Sequence, residues 1–217
     1  KRRNGYIYPN SEQASAVLDA VRLETERLGV QVVLSCHIQS LKRLGKGLFE
    51  ARTDQGVFRG DRLILAAGSK AAPVTGSDGS GYELAKGFGH RIIEPLPALV
   101  QLRCQGAFLK QLAGIRCEAV VKLKCGDKIL AADKGELQLT DYGVSGIPTF
   151  QISRFASVAL YEGRKVSVVL DLLPSKSMEE TRQFLSRRAR LMGYRQAGDF
   201  LTGVLNKKLA VVLLKLG

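Results

Sequence analysis

The sequence predicts an α/β segment followed by an α+β module, and three observations carry that expectation. At residues 62–82 a short apolar strand, Leu63–Leu65, runs into Ala66-Ala67-Gly68 and then a loop with glycines at 76, 79 and 81. Small residues at a strand's carboxyl end let backbone approach a phosphate-bearing ligand closely, and a helix opening beyond offers free N–H groups. Upstream, a helix and an apolar strand precede three short strands joined by tight turns. Downstream of Pro95 and Pro97 the pattern changes to short strands at regular spacing, and then to helices. The glycines of the loop serve tight turns and close helix–strand packing equally well, so a ligand role and a structural role both stand at this point.

The elements follow in order. Asn10 or Ser11 is placed to cap a helix with Ala14, Val17, Leu18, Val21 and Leu28 on one face, and Gly29 ends it. Val30–Leu34 reads as a buried strand. His37–Arg43, Leu48–Thr53 and Val57–Arg59 form a β-meander, turned by Gly45-Lys46-Gly47 and Asp54-Gln55-Gly56. Leu63–Leu65 returns to the main sheet, and a helix over Tyr82–Phe88 stops at Gly89. Beyond the prolines, strands are expected at Val100–Arg103, Cys117–Lys124, Lys128–Ala132, Glu136–Leu139 and Lys165–Leu170, curling into a small barrel or sheet. Gly126-Asp127 suits a hairpin turn, and Pro148–Tyr161 a helix with Ile152, Phe155, Ala156 and Ala159 on one face. Ser177 and Glu180 have capping-box spacing ahead of a helix that Gly193 terminates. Short helices are expected at Ala197–Leu205 and from Lys207 onward.

Composition narrows the function classes. The 217 residues suffice for one large or two small cores, and 45% are hydrophobic, which argues against disorder. No apolar run reaches the roughly 18 residues that span a bilayer. Cysteines at 36, 104, 117 and 125 form no CxxC pair, and there are two histidines, so neither a zinc cluster nor a His-rich catalytic centre is expected. A reducing, cytoplasmic setting fits these features. The chain starts without Met and reads as an internal piece of a longer protein. Its net charge of +13, from 33 Lys plus Arg against 20 Asp plus Glu, admits an anionic cofactor or a nucleic-acid partner. The positive residues are scattered, apart from Arg182, Arg187, Arg188, Arg190 and Arg195, which suit a solvated helix face.

Four blocks in order carry a resemblance to a known family. The first runs from Gly5-Tyr6-Ile7-Tyr8-Pro9-Asn10-Ser11 to Val17, with Tyr6 where the family usually has Arg. The second is Leu65-Ala66-Ala67-Gly68-Ser69-Lys70-Ala71-Ala72-Pro73. The third is Gly76-Ser77-Asp78-Gly79-Ser80-Gly81-Tyr82, continuing through Gly89-His90 to Val100. The fourth joins Gly135-Glu136-Leu137 and Thr140 to Gly143-Val144-Ser145-Gly146-Ile147-Pro148, with Ile147 inserted before the proline. Together they resemble the BaiN-like, aminoacetone-oxidase-type family of FAD-dependent oxidoreductases, over essentially the whole chain.

The resemblance implies a partial two-dinucleotide-binding, Rossmann-like FAD domain with an inserted β-barrel and helical module. Residues 1–97 would belong to the FAD domain, 98–172 to the barrel-like insertion and 173–217 to its helical part. The family's Gly-x-Gly-x-x-Gly fingerprint and C-terminal flavin segment are absent here, so the isolated chain is expected to lack activity and those segments to be its partners. An incomplete parallel sheet exposes strand edges, which makes a homodimer a further expectation.

By position in the family, His37 and Ile38 would offer backbone groups to adenine, with a plain edge-strand role as the alternative. Ala66, Ala67 and Gly68 would lie near the adenosine or pyrophosphate. Gly76, Asp78, Gly79 and Gly81 would form a loop beside the cofactor, with Asp78 either accepting from a hydroxyl or capping the next helix. Ser11 and Gln13 would face the flavin end, although a helix cap explains Ser11 equally well. Ser145 sits in Gly143-Val144-Ser145-Gly146, which departs from the Gly-x-Ser-x-Gly elbow of hydrolases and has only His37 and His90 as bases. No catalytic residue and no metal ligand is assigned. FAD, with NAD(P)H as a co-substrate, and a small organic substrate in a hydride transfer follow from the resemblance. The alternative is a basic module that binds nucleic acid or another polyanion without catalysis. It accounts for the charge but not for the glycine-rich block.

Overall fold

A computed structural model describes residues 2–3 and 6–216. Gly5, which opens the first of the four blocks, lies outside the described residues. The chain divides into two compact units, one up to Ile92 and one from Ile93.

In the first unit, β1 (Arg2–Arg3) pairs antiparallel with β2 (Tyr6–Ile7). Helix α1 (Ser15–Arg27) starts later than expected, and neither Asn10 nor Ser11 is its N-cap. The reason is a turn ahead of it: the Glu12 amide donates to the Pro9 carbonyl, and Glu12 has a φ of 57°. Gly29 ends α1 as expected. With a φ of 66° it lets its own amide reach the Glu26 carbonyl and that of Val30 the Thr25 carbonyl.

Two predicted strands of this unit are absent. Val30–Leu34 and Leu63–Leu65 run without ladder partners, and Leu34 and Ile64 are 77% and 89% exposed. A buried parallel strand exists only through neighbours that bond both its edges, and none among the described residues does so. Val17, Leu18 and Val21 on α1 and Leu28 at its C-cap are likewise exposed. No hydrophobic side chain among the described residues of this unit is buried.

The meander forms as predicted: β3 (Ile38–Arg43), β4 (Phe49–Thr53) and β5 (Gly56–Gly60), paired in that order. Its one buried side chain is Glu50, held by Arg59 at 2.8 Å and Arg52 at 3.2 Å. The hydrogen bonds from Arg59, then from Arg52, hold the carboxyl below the usual glutamate range. A lowered folded-state pKa gives stability that is complete above the ordinary glutamate value and disappears as pH falls through the folded one. Glu50→Gln is therefore expected to unfold the meander at lower urea than the parent at neutral pH. The gap should close on acidification, and denaturation midpoints measured across pH check it.

Helix α2 (Ser80–Lys86) follows the meander in the first unit. The second unit holds the core. It comprises β6 (Leu102–Arg103), α3 (Leu109–Leu112), β7 (Arg116–Cys125), β8 (Lys128–Thr140), β9 (Gly143–Gly146), α4 (Ile147–Tyr161), β10 (Ser167–Asp171), α5 (Met178–Leu191) and α6 (Lys207–Leu216). Where a small barrel or curled sheet is expected, the strands form an antiparallel sheet in the order β10-β7-β8-β9-β6, with β10 and β6 at its edges. Val121, Leu123, Leu137 and Leu139 on the sheet pack with Ile152 and Ala156 of α4 and with Leu209 and Val212 of α6.

The hairpin turn falls on Gly126-Asp127, Cys125 facing Lys128. Lys128–Ala132 and Glu136–Leu139, expected as two strands, are the single strand β8. Gly135 looks like a break but lies opposite Ala119, where a Cβ would touch the Pro148 ring at 3.4 Å; it marks the close approach of α4. Residues 143–146, which are not among the expected strands, form β9. The Ser177–Glu180 capping box is present, with the Glu180 amide donating to Ser177 Oγ at 3.2 Å and the Ser177 amide to Glu180 Oε2 at 2.7 Å. The helix expected over Ala197–Leu205 shrinks to a 3-10 turn at Ala197–Asp199, because Arg188 donates to the carbonyls of Phe200 and Thr202 and Gly203 turns left-handed. No helix among the described residues is long and apolar enough to cross a membrane.

Candidate functional site

The glycine-rich segment of the first unit closes on itself through one side chain. Ser77 Oγ lies 3.0 Å from the Ala67 carbonyl and 2.6 Å from that of Ser69, and its proton ties the two arms of the loop together. Gly68 takes a φ of 75°, and a Cβ there would stand 2.6 Å from Ser77 Oγ. Helix α2 (Ser80–Lys86) follows directly. Its buried Gly81 lies so near Ala67 that an added Cβ would come within 2.9 Å of the Ala67 Cβ. Gly68 and Gly81 thus owe their identity to the protein's own packing. Ala66 and Ala67 leave exposed, low-profile backbone beside them.

Gly76 ends the short turn Pro73–Thr75, and Gly79 precedes α2, each with positive φ. Asp78 Oδ1 accepts from the Ser80 amide at 2.8 Å, so this carboxylate caps α2. That backbone hydrogen bond, more than any other cause, holds the Asp78 carboxyl below its ordinary range.

The two backbone candidates at the start of β3 separate. The His37 amide donates to Asp54 Oδ1 at 2.9 Å and its carbonyl accepts from the Asp54 amide, so His37 is not available to a ligand. Along an antiparallel edge strand successive residues turn their amides to opposite sides. Ile38, paired with Thr53 on the outer strand β3, therefore presents its amide and carbonyl to the open edge. Ser11 and Gln13 are exposed and joined to each other, the Gln13 amide donating to Ser11 Oγ at 3.4 Å. No hydrogen bond among the described residues links them to the 66–81 loop.

Two residues that sequence reasoning missed organise this site. Ser77 is the tether just described. Lys70 lays its aliphatic stem over Gly79, where a Cβ would meet its Cγ at 2.7 Å, and brings an exposed ammonium to the rim of the loop. A lone Lys within a run of small residues was the available signal. The set Ile38, Ala66, Ala67 and Lys70 can offer an edge amide, open backbone and a cation to an adenosine phosphate. It contains no nest of glycine amides able to enclose a pyrophosphate.

Other chemistry is thin. Ser145 lies in β9 and its carbonyl accepts from Thr149 Oγ1, while both histidines belong to the other unit. All four cysteines are free, and burial pushes the Cys104 and Cys117 thiols up, away from the thiolate form. Among the described residues no group of three or more His, Cys, Asp or Glu could hold a metal. Arg188, central to the basic cluster, is engaged by backbone carbonyls rather than presented to a polyanion.

Comparison with known proteins adds to this geometry. The family described as HI0933-like protein Rossmann domain matches residues 1–198. The chain is 43% identical over 216 residues to a 3-dehydro-bile acid delta(4,6)-reductase of Clostridium scindens, covering all of this chain and 53% of the relative. It is 28% identical over 174 residues to a ribosomal RNA dihydrouridine synthase of Haemophilus influenzae, covering 78% of this chain and 41% of the relative. The chain thus spans about half the length of the curated relatives it matches.

Proposed function

Because this chain belongs to the HI0933-like Rossmann-domain family, we propose that it is the central part of an FAD-dependent oxidoreductase. The observation that carries this proposal is the 43% identity to a reductase along the whole chain. A delta(4,6)-reductase and a dihydrouridine synthase both, by name, saturate a carbon–carbon double bond in a ring. The reaction type we infer for the whole protein is the same: a hydride to one carbon of a polarised double bond and a proton to the other. The substrate would be a small ring compound, and NAD(P)H the source of electrons. When bound, FAD supplies the hydride chemistry, and the protein supplies binding and orientation.

Within that function the first unit holds the adenosine end. The Ile38 amide and carbonyl pair with the adenine edge. Ala66, Ala67 and Gly68 keep the surface low, so that the ligand lies against backbone. Lys70 offers its ammonium to a phosphate, and the second carboxylate oxygen of Asp78, kept ionised, accepts from a ribose hydroxyl. Gly76, Gly79 and Gly81 shape the loop, while Ser11 and Gln13 serve the flavin ring as the family resemblance implies. The exposed apolar residues of α1, 30–34 and 63–65 suit burial by further segments of a longer chain, with a second copy of this chain as the competing occupant. In this scheme residues 1–97 are the FAD segment, and 98–172 and 173–217 are the sheet and helical parts of an insertion that selects the substrate.

The test is flavin content. Full-length protein should purify with flavin absorbance or gain it on titration with FAD, and its failure to do either would sink the proposal. Ile38→Pro removes an amide that faces the open edge, where proline is tolerated in a strand. It is expected to weaken FAD about tenfold, the worth of one hydrogen bond, at little cost in stability. Ile38→Val should leave the affinity unchanged.

A further inference from the structure

Between β8 and α4 lies an open groove of about 340 Å³, near the lower end of small-molecule sites. Ala131, the buried Ile152 and the part-exposed Phe155 give it an apolar lining. Three polar groups converge on it: Asp133 from the strand, and Gln151 and Arg154 from the helix. Asp133 has the same parity along β8 as the buried Leu137 and Leu139, so its half-buried side chain stands on the face that α4 covers. A carboxylate on the inner face of a sheet is costly to desolvate unless something pairs with it. Among the described residues neither Asp133 nor Arg154 has an ion-pair partner. The Arg154 guanidinium instead rests 4.6 Å from the centre of the Phe155 ring, which keeps it at the mouth of the groove.

We propose that this groove binds a small amphipathic ring acid, with its carboxylate on Arg154, its apolar ring body against Ala131, Ile152 and Phe155, and its hydroxyls on Asp133 and Gln151. This rests on the oxidoreductase reading above, in which the second unit selects the substrate and a 43% identical relative acts on a bile acid, a steroid carboxylate. The two opposite charges give the ligand one orientation. Asp133 repels the carboxylate end and accepts from hydroxyls, while Arg154 attracts that end. A neutral ring compound of the same shape would keep the apolar contacts and lose the ion pair.

Calorimetric titration of the full-length protein with cholate and with its neutral methyl ester tests this. Cholate is expected to bind at least about tenfold more tightly than the ester, as a charge-assisted pair allows. Arg154→Gln should remove that preference and leave ester binding unchanged, whereas Phe155→Ala should weaken both ligands. Equal binding of acid and ester by the parent, or cholate binding indifferent to Arg154, would overturn the groove. Flavin absorbance is read separately on the same samples. Arg154-dependent cholate binding by a flavin-free protein would retain the groove and remove the flavoprotein reading. A flavin-loaded protein whose cholate binding ignores Arg154 would do the reverse.

Discussion

Gly143→Ala is expected to break the second unit's sheet rather than loosen it. Gly143 has a φ of 153° and faces Arg103 across the β6–β9 pair. A Cβ there would stand 2.1 Å from the Leu102 carbonyl oxygen, 2.8 Å from the Cys104 amide nitrogen and 3.1 Å from the Arg103 Cα. All three are backbone atoms of the paired segment, so no rotamer change relieves the clash. Relief requires β6 to leave β9, taking with it the bond from the Cys104 amide to the Tyr142 carbonyl. Ladder bonds worth about 1 kcal/mol each, plus about 1–3 kcal/mol of backbone strain, put the cost near 4 kcal/mol. That is a large share of the roughly 5–15 kcal/mol by which domains are stable. Gly126→Ala is the control, because its φ of 58° is strained for alanine but nothing lies within 4 Å. It should cost only about 1 kcal/mol. Urea unfolding followed by circular dichroism compares the two, and similar midpoints would contradict this account of β9.

Gly68→Ala is expected to have the largest effect on cofactor binding by the full-length protein. The left-handed φ alone costs an alanine about 1–2 kcal/mol. The new Cβ would also meet Ser77 Oγ at 2.6 Å and displace the hydroxyl that joins the Ala67 and Ser69 carbonyls. Losing that tether lets the two arms of the loop separate. A combined loss of about 2–3 kcal/mol corresponds to roughly 30–150-fold weaker FAD binding, read by flavin fluorescence. The partner test is Gly68→Ala with Ser77→Ala, which removes the clashing oxygen but not the backbone strain. It should be less harmful than the sum of the two single changes, a coupling that only neighbouring residues show. Strict additivity would mean that Ser77 does not organise this loop.

Features built from hydrogen bonds a few residues apart were legible in the chain alone. Ser177 and Glu180 announce a reciprocal cap by identity and spacing, and the structure makes both bonds. Gly29 stops α1, and Gly126-Asp127 turns the longest hairpin, because glycine adopts positive φ without a steric penalty. The meander was equally readable, since each of its strands pairs with the next in sequence. The small residues at 66–68 and the glycines from 76 to 81 marked the candidate site by composition. What the composition left open was whether those glycines accommodate a ligand or the protein itself. Gly68 against Ser77 and Gly81 against Ala67 show that these two are required by the protein's own packing, while Gly76 has nothing within 4 Å of an added Cβ.

The amino-acid sequence by itself determined the hairpin turns, the Ser177–Glu180 capping box and the helix stop at Gly29. It also determined, through four motif blocks in order, the family. Only the tertiary structure decided that Val30–Leu34 and Leu63–Leu65 stand unpaired, that residues 143–146 join the sheet and that β8 runs unbroken through Gly135. It likewise decided that Ile38, not His37, faces the open edge, and that Asp133 and Arg154 share one groove. Each of these depends on atoms supplied from elsewhere in the chain. A strand needs neighbours to bond its edges, a glycine is obligatory only against the particular atom that would strike its Cβ, and a charge is unpaired only once its surroundings are assembled.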